Sequence, residues 1–291
     1  MCYTIVVVFS AGSSVSLIQS TISTLQSKFA LRTLGSISYF LGFEATRSAA
    51  GLHLCQSKYV VELLHKTNMA NCKPCSSPLC LNTRLSKLGG KPFADPFLYR
   101  STIGALQYLC NTRPDIAFTI NKLSQFPAAP FEEHWTACTR VLRYLKGTSS
   151  LGLFFKPASN LHLAVYSDAE WASCLDDRRS TSGYCVYLGD NLITWSSKKQ
   201  SVTAQSSAEA EYRALANAAS DILWLKSLFA ELGVQLSGIP VLWCDSTSAA
   251  PLAQNPVFHA RTKHIEIDVH FVREKIAVKV FSVQAFQSSK G

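Results

Sequence analysis

Apolar and polar positions follow two different periods along this chain, and the change of period divides it. Residues 5–9 form a short unbroken apolar run, the pattern of a buried strand, and Ala11-Gly12-Ser13-Ser14 after it has turn chemistry. Leu17, Ile18, Ile22, Leu25 and Phe29 then recur at helical spacing over residues 15–29. Residues 39–43 and 51–54 predict paired strands around a turn. A helix is predicted over residues 56–67, with Tyr59, Leu63 and Leu64 facing inward. Residues 72–95 are rich in Pro, Ser, Gly and Lys and predict a loop or internal linker. The helical period returns over residues 99–110, again after Pro114, and most strongly over 132–145.

The second half reads differently. Lys156-Pro157-Ala158-Ser159-Asn160 is the clearest break in the chain. Residues 161–167 alternate as a strand. Residues 183–188 and 192–196 flank Gly189-Asp190-Asn191, the signature of a hairpin. Ser206 with Glu209 three residues later matches a capping box, and the helix it opens continues through 221–232. Residues 241–244 are a short apolar strand ending at Asp245, 264–276 look helical, and 278–283 predict a last strand. Three strands, helices, a strand, helices and a strand imply an α/β mixed sheet with helices packed on it. Two domains are expected, over residues 1–157 and 161–291.

Composition supports a folded chain. Of the 291 residues, 47% are hydrophobic and 16% charged, the latter below the usual ~25%. The net charge of +9 is confined to one half. Residues 1–150 hold fifteen Lys and Arg against six Asp and Glu, while residues 151–291 hold thirteen of each. A basic half suits either a polyanion such as nucleic acid or a solvated basic surface. The ten cysteines mostly stand singly in apolar runs, as at Cys110, Cys185 and Cys244, which suits free thiols in a reducing compartment. Cys72, Cys75 and Cys80 cluster, but no second pair follows at zinc-ligand spacing. No run approaches the roughly 18 apolar residues of a membrane span, and no signal peptide is evident, so an intracellular protein without a membrane partner is expected.

Three acids stand where strands end or helices begin. Asp168 is expected to end the first strand of the second half, Glu211 lies early in the following helix, and Asp245 ends the apolar strand. Converging carboxylates repel one another unless cations sit between them, and Mg²⁺ is the natural oxygen-seeking counterion. Two such ions about 4 Å apart suit phosphodiester hydrolysis. Taken singly, each acid also has an ordinary role: an Asp after a strand is commonly a turn residue, and Glu209 competes with Glu211.

The wording of these segments resembles a known family. Tyr166-Ser167-Asp168-Ala169-Glu170-Trp171 with Asp177-Arg178-Arg179-Ser180-Thr181-Ser182-Gly183-Tyr184 resembles the start of the ribonuclease H domain of copia-type retrotransposon polyproteins. Trp195-Ser196-Ser197-Lys198-Lys199-Gln200, Ser206-Ser207-Ala208-Glu209-Ala210-Glu211-Tyr212, Cys244-Asp245-Ser246, Asn255-Pro256 and Arg261-Thr262-Lys263-His264-Ile265 continue it. The first half is similar to the C-terminal part of the same polyprotein's reverse transcriptase. There the matching segments include Gln56-Ser57-Lys58-Tyr59, Thr112-Arg113-Pro114-Asp115 and Leu142-Arg143-Tyr144-Leu145-Lys146-Gly147-Thr148. The resemblance implies a ribonuclease H-like mixed five-stranded sheet preceded by part of a reverse transcriptase. It further implies that Asp168, Glu211 and Asp245 hold two Mg²⁺ ions, with Mn²⁺ as an alternative, and cut the RNA strand of an RNA–DNA hybrid. Arg178, Arg179, Lys198, Lys199, Ser206 and Ser207 are the implied nucleic-acid contacts.

The departures are specific. Where the family's Tyr-x-Asp-Asp turn is expected, the chain reads Tyr3-Thr4-Ile5-Val6-Val7-Val8-Phe9, and its first Asp is Asp95, so DNA polymerisation is not expected. The segment Phe281-Ser282-Val283-Gln284-Ala285-Phe286 replaces a His-Val-Pro element, and the fourth acid of the family is not found after it. Glu266 and Asp268 are the candidate substitutes, and a C-terminally truncated domain is the expectation. Pro251 falls where a helix should follow Asp245 and would make it start late or kink. A nucleic-acid-binding remnant without catalysis is therefore the alternative to an active ribonuclease.

Overall fold

The structure is a computed structural model, and it describes residues 14–32, 35–80, 83–245 and 265–286. The expected strand at 5–9, Pro251, and the Asn255-Pro256 and Arg261–His264 segments lie outside these residues. Two compact units are formed, Met1–Ser38 and Tyr39–Gly291. In the first unit, helix α1 (Val15–Lys28) is capped by Ser14, whose side chain accepts a hydrogen bond from the Leu17 N–H. None of its residues is buried.

The second unit holds two apolar cores. The first belongs to helices α2 (Ser57–Lys66), α3 (Pro96–Leu109), α4 (Ala117–Leu123) and α5 (Glu132–Gly147). Each buries one stripe: on α2 the expected Leu63 and Leu64 with Val60, while Tyr59 is only partly buried, and on α5 Cys138, Val141, Leu142 and Leu145. Beside them lies a four-stranded antiparallel sheet of β1 (Tyr39–Phe40), β2 (Phe43–Ser48), β3 (Gly51–Cys55) and β4 (Gly152–Phe155). Strand β4 was not expected. Its four residues pair with β3 only because Gly152 lacks a side chain: a Cβ there would stand 2.1 Å from the Leu54 carbonyl oxygen.

Residues 156–162 lead into the second core, which shows the expected mixed five-stranded sheet. Its strands are β5 (Leu163–Glu170), β6 (Thr181–Leu188), β7 (Asn191–Lys199), β8 (Val241–Cys244) and β9 (Ser282–Ala285), in the order β7-β6-β5-β8-β9. β5, β6 and β7 are antiparallel neighbours, while β8 runs parallel to both β5 and β9. Helix α6 (Ser207–Glu231) lies on β5, and helix α7 (Glu266–Ala277) packs against α6. Ala210, Ala214, Ala218 and Ala219 are wholly buried on α6, and these small side chains allow its close approach to the sheet. The last strand begins later than the expected 278. Residues 278–280 instead close α7, with Lys279 in the left-handed region at φ 56° and the Val280 N–H bonded to the Lys275 carbonyl.

Candidate active site

Register across β5 and β8 places two of the three acids. Ser167 is paired with Cys244 in the parallel ladder, so Asp168 and Asp245, one residue further on each strand, emerge side by side. Asp168 does not end its strand as expected: β5 runs on to Glu170, because Ala169 and Glu170 continue the pairing with Ser182 and Thr181 of β6. Glu211 is the fifth residue of α6 and comes down beside them from the helix. Carboxylate oxygens of Asp168, Glu211 and Asp245 lie within 4.8 Å of one another.

The chemistry of this trio is strained by like charge. Glu211 is 9% exposed, and its Oε2 is buried without a hydrogen-bond partner. Burial, then the charges of Asp168 and Asp245, push its carboxyl up to about 7. Burial and the neighbouring Asp245 also raise Asp168, although the Ala169 N–H donates to its Oδ1 at 2.8 Å and holds the ionised form. An all-oxygen set of crowded carboxylates, one with an orphaned buried oxygen, fits a hard divalent cation.

The competing acid has a different task. Glu209 Oε2 accepts from the Gln205 N–H at 2.9 Å, while the Ser206 hydroxyl accepts from the Glu209 N–H at 3.3 Å. Both serve the cap of α6. The suggested substitutes for a fourth acid stand apart. Glu266 is within 3.9 Å of His270, and Asp268 is half-buried beside Arg213 of α6, so among the described residues the group holds three carboxylates.

The implied nucleic-acid contacts are scattered over the rim. Ser206 is committed to the helix cap, and Ser207 next to it is exposed. Arg178 is exposed in a tight turn at φ 56°, and Lys198 is exposed on the edge strand β7. Lys199 and Arg179 instead point at Asp177, at 2.8 Å and 3.6 Å, and Lys199 also reaches Gln125 of the helical layer at 3.1 Å.

Two positioning groups were not singled out beforehand. The Ala169 N–H is a backbone group with no sequence signal. Gln200 is buried and its Nε2 donates to Ser182 Oγ at 2.8 Å and to the Ala210 carbonyl at 2.9 Å, tying β6 and the end of β7 to the turn of α6 that carries Glu211. Its place at the end of the Trp195–Gln200 segment was the hint that the sequence offered. The Cys72, Cys75 and Cys80 cluster forms no metal-binding group among the described residues. No described helix is long and apolar enough to cross a membrane.

Residues 3–81 match the reverse transcriptase (RNA-dependent DNA polymerase) family. The retrovirus-related Pol polyproteins from transposons RE2 and RE1 of Arabidopsis thaliana are 46% and 47% identical over 91% of this chain. The chain spans only 18% of their length. An uncharacterised mitochondrial protein of the same plant is 42% identical over 73% of this chain and 88% of its own. Among solved structures, a ribonuclease H1 in complex with an RNA/DNA hybrid is 15% identical over 44% of this chain and 87% of its own, with a TM-score of 0.33. The foamy viral protease-reverse transcriptase in complex with an RNA/DNA hybrid is 12% identical over 97% of this chain and 34% of its own, with a TM-score of 0.49. With nearly half its residues identical to those polyproteins along nine-tenths of its length, the chain belongs to the copia-type retrovirus-related Pol polyproteins.

Proposed function

We propose that residues 161–291 act as a ribonuclease H, hydrolysing the RNA strand of RNA–DNA hybrids, and that residues 1–157 are the C-terminal region of a reverse transcriptase. The observation that carries this reading is the trio Asp168, Glu211 and Asp245, with carboxylate oxygens within 4.8 Å of one another. Asp168 and Asp245 face solvent, where a phosphodiester can approach, and Glu211 closes the site from behind. When bound, Mg²⁺ (or Mn²⁺) supplies Lewis acidity toward water and the phosphoryl oxygens. The role of the protein is to hold three ionised carboxylates together and to orient Asp168 through the Ala169 N–H. Exposed Arg178, Lys198 and Ser207 are the groups available to the phosphates and ribose hydroxyls of the hybrid, and selective cutting of RNA requires reading the 2′-OH. Arg179 and Lys199 serve this surface indirectly, by fixing the Asp177 turn.

A second reading is favoured by Glu266 and Asp268 standing away from the trio. With only the three acids found among the described residues, one metal position lacks a ligand, and the chain acts as a nucleic-acid-binding remnant held by its basic first half. Cleavage of a labelled RNA–DNA hybrid with Mg²⁺ or with EDTA, beside Asp168→Asn, separates the two. Metal-dependent cutting that the variant abolishes supports the nuclease. Hybrid binding without cutting supports the remnant. The unfolding midpoint reports metal binding independently of activity: Mg²⁺ should raise it in the wild type and much less in Asp168→Asn.

A further inference from the structure

A pocket with a largely apolar lining lies in the helical layer, away from the acid trio. It offers about 380 Å³ between one face of α5 and residues 79–80 and 83–85. Three arginines line it, Arg84 from the loop and Arg140 and Arg143 from α5, against a single acid, Glu133. Among the described residues Glu133 makes no ion pair with any of them within 4.0 Å, so the cavity keeps a surplus of positive charge. Leu79, Leu85 and Ala137 form its apolar wall, which strengthens that field.

The two helix-borne arginines are held in place from outside. Arg140 Nη2 donates to Ser77 Oγ at 2.9 Å, and Arg143 Nε donates to the Lys73 carbonyl at 2.8 Å. Cys75 braces the same turn, its N–H bonded to the Arg143 carbonyl at 3.4 Å and its thiol to the Arg140 carbonyl at 3.4 Å. Arg140 Nε is buried without a hydrogen-bond partner. Among the described residues the Nη groups of Arg143 and the whole guanidinium of Arg84 have no hydrogen-bond partner either. Arg140 and Arg143 are braced at the pocket and Arg84 adds a third positive charge, against Glu133 alone among the described lining acids. A planar guanidinium fork matches a phosphate, and rigid forks lose little entropy on binding one.

We propose that this cavity is a phosphate-binding site, taking the phosphate of a free nucleotide or of a nucleic-acid chain. Its volume lies at the small end of ligand pockets, suited to a phosphate with its attached sugar and not to a large cofactor. The site is independent of the ribonuclease reading, since it shares no residue with Asp168, Glu211 or Asp245.

The test is titration of the whole chain with inorganic phosphate, with adenosine monophosphate, and with short single-stranded DNA carrying or lacking a 5′-phosphate. Arg143→Gln is expected to weaken binding about tenfold or more, and Arg84→Gln by several-fold. Arg84 is exposed and makes no bond that folding depends on, so its variant stays informative if Arg143→Gln fails to fold. Lys66→Gln, an exposed charge on α2, is the control and should change binding by less than about twofold. Loss with every phosphate probe marks a site for free phosphates, and loss with DNA alone marks a chain phosphate. Either supports the site. Absence of phosphate binding by the wild type, or arginine variants no weaker than the control, would overturn it. Asp168→Asn should leave this binding unchanged while abolishing cleavage, so failure of one reading does not carry the other.

Discussion

Both cores of Tyr39–Gly291 bury charge, and they treat it in opposite ways. In the helical core, Arg113 is 2% exposed and fully met by partners. Its Nη2 is 2.7 Å from Asp115 and 2.8 Å from Thr148 Oγ1, its Nη1 donates to the Thr148 carbonyl at 2.9 Å, and it lies 5.5 Å from the centre of the Tyr144 ring. In the sheet core, Glu211 is nearly as hidden, has an oxygen with no partner, and faces two more acids. A buried charge with complete partners is costly to break, whereas one left uncompensated among like charges marks a candidate cation site.

The strongest way to break this contrast is to remove Arg113. Arg113→Ala should cost about 3–5 kcal/mol in urea unfolding, because Asp115 and the Thr148 carbonyl lose their partner. A loss below about 1 kcal/mol would mean the network is ornamental.

The next test should move stability the other way. In metal-free protein the carboxyl of Glu211 rises from 4.5 to about 7 on folding. The folded state therefore binds this proton more tightly, so the contribution of Glu211 to stability is greatest below pH about 4.5 and declines as pH rises toward 7. Glu211→Gln should flatten that decline. Above pH 7 it should stabilise metal-free protein by on the order of 1–2 kcal/mol, allowing for solvent screening. Unfolding midpoints across the pH range with EDTA present decide it, and an unchanged slope would sink the like-charge account.

Gln200→Leu sharpens the comparison at the edge of the site. It should cost about 1–2 kcal/mol by leaving the Ser182 hydroxyl and Ala210 carbonyl without their donor. It should also lower cleavage more than Mg²⁺ binding, since it frees the turn that carries Glu211. Equal loss of both would give Gln200 a purely structural place.

The smallest effect is expected at Asp177. Burial alone would raise its carboxyl, but hydrogen bonds from Lys199, Cys174 and the Arg179 N–H bring it down to about 2. This depressed value contributes stability above pH about 3.8 that is lost as pH falls toward 2. Being largely exposed, Asp177→Asn should cost less than about 1 kcal/mol at neutral pH and reduce the acid sensitivity between those values. Chemical unfolding at pH 7 and pH 3 reads the difference.

Much of the local structure was legible in the order of residues. Ser206 and Glu209 announced the start of α6, and apolar residues at helical spacing announced α2 and α5. The Gly189-Asp190 turn between Leu188 and Asn191 announced the β6–β7 hairpin. These signals are local, carried by side chains within one turn of each other. Strand β4 and the late start of β9 were not legible. The first depends on how closely Gly152 approaches a strand about a hundred positions earlier, and the second on how α7 closes.

The candidate site divides the same way. The three acids could be named from the sequence, and their wording linked the chain to copia-type Pol polyproteins. The capping-box spacing already gave Glu209 a local role at the start of α6, but no local signal showed where Glu211, two residues on, would point. Only packing of α6 on β5 turns Glu211 to the strand ends and leaves Glu209 in the cap. Sequence by itself determined which residue types were present, the helices and hairpin, and the family. Tertiary structure decided which charges meet: the parallel β5–β8 register that sets Asp168 beside Asp245, and the packing that brings Arg84 to the same pocket as Arg140 and Arg143. Those encounters depend on the pairing of distant segments, whose geometry is a property of the packed whole.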